Sequence, residues 1–531
     1  MKTNSSIIKG TALLAGAGLV AKVFGAFYRI FLARTIGNEG IGLYQMAYPI
    51  YLIFLSLSTA GIPIAISRMV AARIAAGDRW GTRRILLAAF VMLLALGSCF
   101  TLVMALSARW LAGTVVVDSR AVYAIWALAP AIFFMSLIAV FRGFFQGWQE
   151  MGPSAVSQII EQIVRVAVAL ILAVLLLRYG VEHAAAGAAF GATMGGMAGL
   201  VYLAGTFWNR RSLLFGPQLP GNERQNGRIG PRPEPLGTII LKLLRFTLPI
   251  AVGMILTPLL QAIDSVIVPA KLQGIGYSTG QATALLGILG NSWAVVYLPL
   301  IVTGALASNL VPAISGLLTR REHSLLQARV GEGLRLGLIY LIPAAVMLLM
   351  FGATIYRILY GQGNLTILSW FAPAILFLGL EQVSAGVLQG LGRPNLPLLH
   401  FIYGAVVKIT VTLVATGWPG LNLAGAAIGT VAGAAVTASL NLTSITRLTG
   451  VSLPLNLAGP LSGMAMAAVC WYLPRYLNGH YLLEFLAAGA LGTLCYFAFL
   501  WVMGGIHRQD LEVISSLVGR TADRGHPLKR D

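Results

Sequence analysis

Along the chain, long stretches of apolar residues alternate with short segments that carry glycine, proline and charge. Most stretches run about 20 residues or more, enough to cross a hydrocarbon core of roughly 30 Å as a helix. Run length and punctuation place helices over 8–33, 41–73, 84–108, 120–146, 153–178 and 184–208. A second set follows over 238–270, 280–318, 326–352, 363–390, 395–418, 421–448, 456–475 and 481–506. The expected fold class is therefore an all-α polytopic membrane protein with about 14 transmembrane helices. The period-two alternation of an outer-membrane barrel is absent. Gly61-Ile62-Pro63, Pro299 and Pro312 fall inside long runs and are expected to bend or break their helices.

The pattern repeats itself. Pro130-Ala131-Ile132 recurs as Pro373-Ala374-Ile375 and Gln146-Gly147 as Gln389-Gly390, both at an offset of 243. The run from Ala186 (AGAAFG) recurs from Ala424 (AGAAIG), and Pro63-Ile64-Ala65-Ile66-Ser67 is echoed by Pro312-Ala313-Ile314-Ser315. Order and spacing point to a duplicated six-helix unit whose two copies enter the membrane from the same side. The only long polar interruption, 209–237, separates them. The expected organisation is an N-terminal six-helix lobe over 1–208, a cytoplasmic linker over 209–237 and a C-terminal six-helix lobe over 238–450. Two additional transmembrane helices over 451–506 and a cytoplasmic tail over 507–531 complete the expected chain.

Composition agrees with this pattern: hydrophobic residues make up 57% of the 531 positions and charged residues 10%, and the mean hydropathy is +0.82. The net charge of +20 would point to nucleic acid in a soluble protein. Here the basic residues gather in particular connecting segments, such as Arg68, Arg73, Arg79, Arg83 and Arg84, or Arg210, Arg211, Arg224, Arg228 and Arg232. With both termini inside, about 26 Lys and Arg fall on the inner side and about 7 on the outer, which is the bias that sets topology. The expected location is the cytoplasmic (inner) membrane, with membrane lipids and no nucleic acid as partners. The first apolar run is too long for a cleaved signal and contains Lys22 and Arg29, so it is expected to be retained. Cys99, Cys470 and Cys495 are scattered, with no disulfide or zinc spacing.

About four basic residues remain well inside the spans once the loops and span ends are subtracted: Lys22, Arg29, Arg165 and Lys408. Each costs several kcal/mol at the bilayer centre unless it meets a partner or water. Arg165 and Lys408 are related by the same offset of 243 as the repeat markers. Arg29, nearer a helix end, could instead snorkel. Intramembrane carboxylates are Glu161, Asp264 and Glu381, candidates for a cavity acid or a coupling group. Glu161 and Arg165 stand four apart on one helix face, and their mutual neutralisation is the plain alternative to a role in binding. The cationic excess fits an anionic cargo such as a diphosphate. No P-loop, Gly-x-Ser-x-Gly or paired-carboxylate cluster occurs and the six histidines are dispersed, so transport rather than catalysis is expected, with no cofactor.

Two stretches, Lys22–Ser67 (KVFGAFYRIFLARTIGNEGIGLYQMAYPIYLIFLSLSTAGIPIAIS) and Phe141–Val166 (FRGFFQGWQEMGPSAVSQIIEQIVRV), resemble a known family. It is the stage V sporulation protein B and polysaccharide-exporter branch of the multidrug/oligosaccharidyl-lipid/polysaccharide (MOP) exporter superfamily, which includes the lipid II flippases. The resemblance runs over nearly the whole chain. It implies two six-helix lobes around a central cavity, and a polyprenyl diphosphate lipid such as a lipid-linked oligosaccharide as cargo. In lipid II flippases basic side chains of the first helix hold the diphosphate, and Lys22 and Arg29 fall at or within one residue of those positions. Where proteobacterial relatives carry further basic residues in helices 2 and 8, this chain has Leu52-Ile53 and an apolar helix 8 core; Arg165 and Lys408 are the candidate substitutes. The last two helices look suited to guiding a polyprenyl tail.

The leading expectation is a flippase that carries an undecaprenyl-diphosphate-linked saccharide, foremost lipid II, from inner to outer leaflet. Coupling to the membrane potential or to a monovalent cation stays open as its energy source. A cation-coupled multidrug or small-molecule exporter of the same superfamily, and a membrane-embedded transferase on polyprenyl lipids, are the alternatives.

Overall fold

A computed structural model describes residues 4–215, 234–361, 366–451, 457–477 and 480–505. The side chains of 4–13, 15, 19–23, 26, 213–215, 249, 252 and 477 fall outside that description. The described residues are helical almost throughout. In order the helices are α1 (Asn4–Thr59), α2 (Ile62–Ala75), α3 (Arg79–Trp110), α4 (Val122–Gly147), α5 (Met151–Leu176), α6 (Val181–Phe215) and α7 (Leu236–Gly274). They continue with α8 (Thr279–Thr319), α9 (His323–Tyr360), the short α10 (Ile367–Trp370), α11 (Ala372–Gly390), α12 (Asn395–Thr416), α13 (Leu423–Thr449), α14 (Ala458–Leu477) and α15 (Tyr481–Val502). Twelve stretches among the described residues are long and apolar enough to cross a membrane. The protein is a multi-pass integral membrane protein. The expected count of fourteen is larger because the twelve take the first two spans as one, Phe27–Ala75, and do not include α14.

Local chemistry decides where the helices turn. Gly37, at φ 69°, breaks the helical path inside α1, a backbone conformation that costs a side-chain-bearing residue energy. Gly61, at φ 73°, separates α1 from α2, and Pro63 stands in the first turn of α2, where its missing N–H costs no hydrogen bond. The expected break at Gly61-Ile62-Pro63 is therefore present. Pro299 and Pro312 behave differently: α8 runs from Thr279 to Thr319 through both without interruption. Neighbouring helices tolerate the lost hydrogen bond in such settings. At the start of α3, Asp78 caps the helix by accepting from the Gly81 amide at 2.7 Å. Arginines lie over aromatic rings close to several helix ends, as Arg84 over Trp80 (4.8 Å), Arg211 over Trp208 (3.8 Å) and Arg475 over Trp471 (4.5 Å). Such amphipathic pairs suit the water–lipid boundary.

The chain forms two compact units, residues 1–294 with 416–426, and residues 295–415 with 427–531. In the first, α1 packs against α4, α5, α6 and α7. Ile62, Ile66 and Val70 of α2 meet Ile85, Ala89 and Leu93 of α3, Phe144 of α4, and Ile239 and Leu243 of α7 in one buried cluster. In the second, Leu310 and Ile314 of α8 pack with Val330 and Leu334 of α9 and Val383 and Val387 of α11. There α14 and α15 cover one stretch of α9, with Phe351, Met466, Cys470, Ala488 and Tyr496 buried between them. Residues 216–233, most of the expected linker, and 506–531, which include the expected tail, lie outside the described residues; 209–215 continue α6.

The internal duplication reappears as matched helix packing. A Cβ added to Gly191 of α6 would meet the Arg165 carbonyl and Ala169, and one on Gly195 would meet Glu161 and Arg165. In the second unit a Cβ on Gly429 would meet the Lys408 carbonyl and Thr412, and one on Gly433 would meet Gly404 and Lys408. Lys408 thus takes in α12 the place of Arg165 in α5. The match also corrects one sequence register. Gly147 packs on Ser67 and Val70, whereas Gly390 packs on Val311 and Ile314, so Pro63 has its counterpart at Ala307 rather than at Pro312.

Candidate functional site

Helical spacing puts Gly25, Tyr28, Arg29 and Leu32 on one face of the first half of α1, and Ile41, Tyr44 and Tyr48 on one face of its second half. Gln162 and Arg165 arrive from α5. Together they line a cavity of ≈ 190 Å³. Arg165 Nη2 donates to Tyr48 Oη at 3.1 Å and to Tyr44 Oη at 3.3 Å. Its guanidinium lies 5.4 Å from the Tyr48 ring centre, and the Tyr44 and Tyr48 rings stack at 5.2 Å. Arg29 Nη2 donates to Gln45 Oε1 at 3.0 Å, close against Gly290 of α8.

Two donors at this cavity are left over. Arg29 Nε and the Tyr28 hydroxyl are buried and have no hydrogen-bond partner among the described residues, although Tyr28 is only 7% exposed. A buried donor left unpaired costs about 1–3 kcal/mol. Neither Arg29 nor Arg165 has a carboxylate within ion-pair distance among the described residues, so the cavity is cationic and supplied with donors. That arrangement can accept an anion with several acceptor oxygens.

Glu161 does not neutralise Arg165. Its Oε2 accepts instead from Arg142 Nη2 at 2.9 Å, while Arg142 Nε donates to Ser157 Oγ, also at 2.9 Å. The i, i+4 spacing puts Glu161 and Arg165 on one face, but Arg142 of α4 reaches Glu161 across the helix interface and the tyrosines of α1 take Arg165. The second unit has a hydrogen-bonded network without a carboxylate at the matching level. His400 Nδ1 lies 2.7 Å from Asn441 Oδ1, and Asn441 Nδ2 donates to Ser384 Oγ at 3.1 Å.

Of the basic residues expected in the site, Arg29 and Arg165 meet at the cavity. Lys22 lies on α1 and its side chain is outside the described residues. Lys408 lies on α12 in the second unit, 8% exposed. Among the acids, Asp264 is buried on α7 beside Ser265, whose hydroxyl donates to the Gln45 carbonyl at 3.0 Å. Glu381 is half-buried on α11, and its carboxylate has no ion-pair partner among the described residues. No group of three or more His, Cys, Asp or Glu placed to hold a metal occurs among the described residues. Sequence reasoning passed over Tyr28, Tyr44, Tyr48 and Arg142. A signal was present: Tyr28 adjoins Arg29, Tyr44 and Tyr48 stand one turn apart, and Arg142 sits near the end of an apolar run.

Residues 7–318 match the model of a family described as polysaccharide biosynthesis protein. Stage V sporulation protein B of Bacillus subtilis (strain 168) is 30% identical over 453 residues, covering 85% of this chain and 86% of that protein. The lipid II flippase MurJ of the same organism is 26% identical over 429 residues, 77% of each chain. A solved structure of lipid II flippase MurJ in an inward closed conformation superposes with a TM-score of 0.62 at 15% identity, covering 92% of this chain and 98% of that one.

Proposed function

Because the chain belongs to the polysaccharide biosynthesis protein family, a branch of the MOP exporter superfamily, we propose that it is a flippase for an undecaprenyl-diphosphate-linked saccharide. The cargo passes from the inner to the outer leaflet of the cytoplasmic membrane by alternating access. Lipid II, for peptidoglycan or spore cortex, is the foremost candidate. Two relatives support this reading through what they are named for, sporulation in one and lipid II flipping in the other. No bond is made or broken in such a step, so no catalytic group is required.

The observation that carries the reading is the cavity of α1 and α5. Two guanidinium groups without carboxylate partners among the described residues share it with the unpaired Tyr28 hydroxyl. Taking an uncompensated cation out of water costs several kcal/mol, and a diphosphate supplies both the opposite charge and the oxygens that these donors lack. The cavity of ≈ 190 Å³ has room for a group the size of a diphosphate. Lys22, on the same helix, and Lys408, at the repeat-related position, are the further cations assigned to the cargo path. Asp264 and Glu381 are the acids assigned to coupling to a monovalent cation or to the membrane potential.

The test is complementation of a strain depleted of its lipid II flippase, with protein levels matched. The wild-type chain should restore growth. Arg29→Ala and Arg165→Ala should each lower flipping about tenfold or more, the size of one lost charge-assisted hydrogen bond. Wild-type rates in both variants would remove the diphosphate site from this cavity.

A further inference from the structure

Arg142 lines no part of the cavity, yet it pairs with Glu161, the acid one turn before Arg165. It spends its guanidinium fork on two residues of α5 one turn apart, Ser157 through Nε and Glu161 through Nη2, both at 2.9 Å. Ser154 and Ser157, fully buried, line the seam between the two helices: Ser154 Oγ donates across it to the Arg142 carbonyl at 3.5 Å, and Ser157 Oγ donates within α5 to the Ser154 carbonyl at 2.7 Å. Glu161 in turn stands four residues before Arg165, the order in which a helical acid–base pair attracts best. Among the described side chains it faces, from α1, the tyrosine row ending at Tyr51 and, from α6, the backbone of Gly195 and Gly199, none of which carries a counter-charge. With Arg142 gone, the cation one turn away on the same face of α5 is Arg165.

The duplicated half indicates that helix packing alone does not call for this pair. At the offset of 243, Arg142 corresponds to Ala385 and Glu161 to Gly404, and α12 still packs on α13 there through the same glycine positions. The ion pair belongs to the unit that holds the Arg29–Arg165 cavity.

We infer that Arg142 is a positioning residue: by holding Glu161 it keeps that carboxylate off Arg165 and leaves the Arg165 guanidinium to the transported anion. This rests on the reading of the cavity as an anion site. Arg142 sets the charge of the site from outside it, without touching the cargo.

The experiment uses the purified full-length chain in lipid nanodiscs and measures the rise in melting temperature on adding inorganic pyrophosphate. A purely structural role for Arg142 would move the melting temperature without pyrophosphate but not the rise that pyrophosphate produces. The wild-type chain should show the rise, Arg142→Lys should keep it, and Arg142→Met should lose most of it because Glu161 swings to Arg165. Adding Glu161→Gln to Arg142→Met should bring the rise back. An undiminished rise in Arg142→Met overturns the inference. If Arg142→Met does not fold, the Arg142→Met, Glu161→Gln chain, which leaves no stranded charge, makes the test: a full rise supports the inference, and a lost rise means that Arg142 itself holds the anion and overturns it. Absence of any rise in the wild-type chain, by contrast, would fall on the anion-site reading of the cavity.

Discussion

Tyr44 and Tyr48 are the hydrogen-bond acceptors that Arg165 meets among the described residues. Hydrogen bonds between membrane helices are worth about 0.6–2 kcal/mol each, and a charged donor lies toward the upper end. Changing both tyrosines to Phe keeps the rings and removes the acceptors, so the double variant should lose about 2–4 kcal/mol of stability. Thermal unfolding in nanodiscs checks this, and pyrophosphate should recover part of the loss by offering Arg165 new acceptors. An unchanged melting temperature would mean that water already serves Arg165 as well as the phenols do. At this scale the costly cations are visible in the sequence, since Arg29 and Arg165 interrupt apolar runs. Their partners are not. Spacing pairs Glu161 with Arg165 because both lie on one face of α5, but the competing cation sits on α4, and no single-helix pattern reports what faces it across an interface.

Among the elements, α7 is tied at its start to the first unit by charge. Glu234 accepts from Lys242 Nζ at 2.8 Å and pairs with Arg73 at 2.9 Å, and Arg73 also holds Asp78, the cap of α3. The Lys242 ammonium, with Arg73 beyond it, holds the Glu234 carboxyl below the usual carboxylate range. A group whose value is lowered on folding contributes stability at pH above its unfolded value and loses it as pH falls through the folded one. Amides at the start of α7 should therefore exchange hydrogen faster at about pH 3 than at about pH 6, after correction for intrinsic exchange. High salt should have a similar effect, since the pairs are partly exposed. Glu234→Gln should flatten the acid dependence, and an identical pH profile in that variant would show that the tie does not hold the helix. Most elements are legible from hydrophobic run length. Gly37 turns the chain in the gap expected between the first two spans, whereas Pro312 in α8 reads as a bend or break while the helix passes through it.

At the scale of the whole molecule, charge bias in the connecting segments predicts that both termini and the 209–237 segment lie on the cytoplasmic side. Reporter fusions after Arg224 and after Arg524 should both read as cytoplasmic, and an extracellular reading at either would overturn this topology. The all-helical membrane class and the duplicated plan follow from the sequence alone, because lipid demands long apolar runs and a duplication keeps its offset in the chain. Tertiary structure alone decided which helices share a compact unit: α7, counted in sequence as the first helix of the second copy, packs on α1, α2 and α3. It likewise decided that Arg29 and Arg165 meet, with Tyr28 left unpaired beside them, and that Glu161 answers to Arg142. The physical reason is one of range: hydrophobicity and turn chemistry act over a few residues and leave their mark in sequence. Side chains far apart along the chain become neighbours only when helices pack.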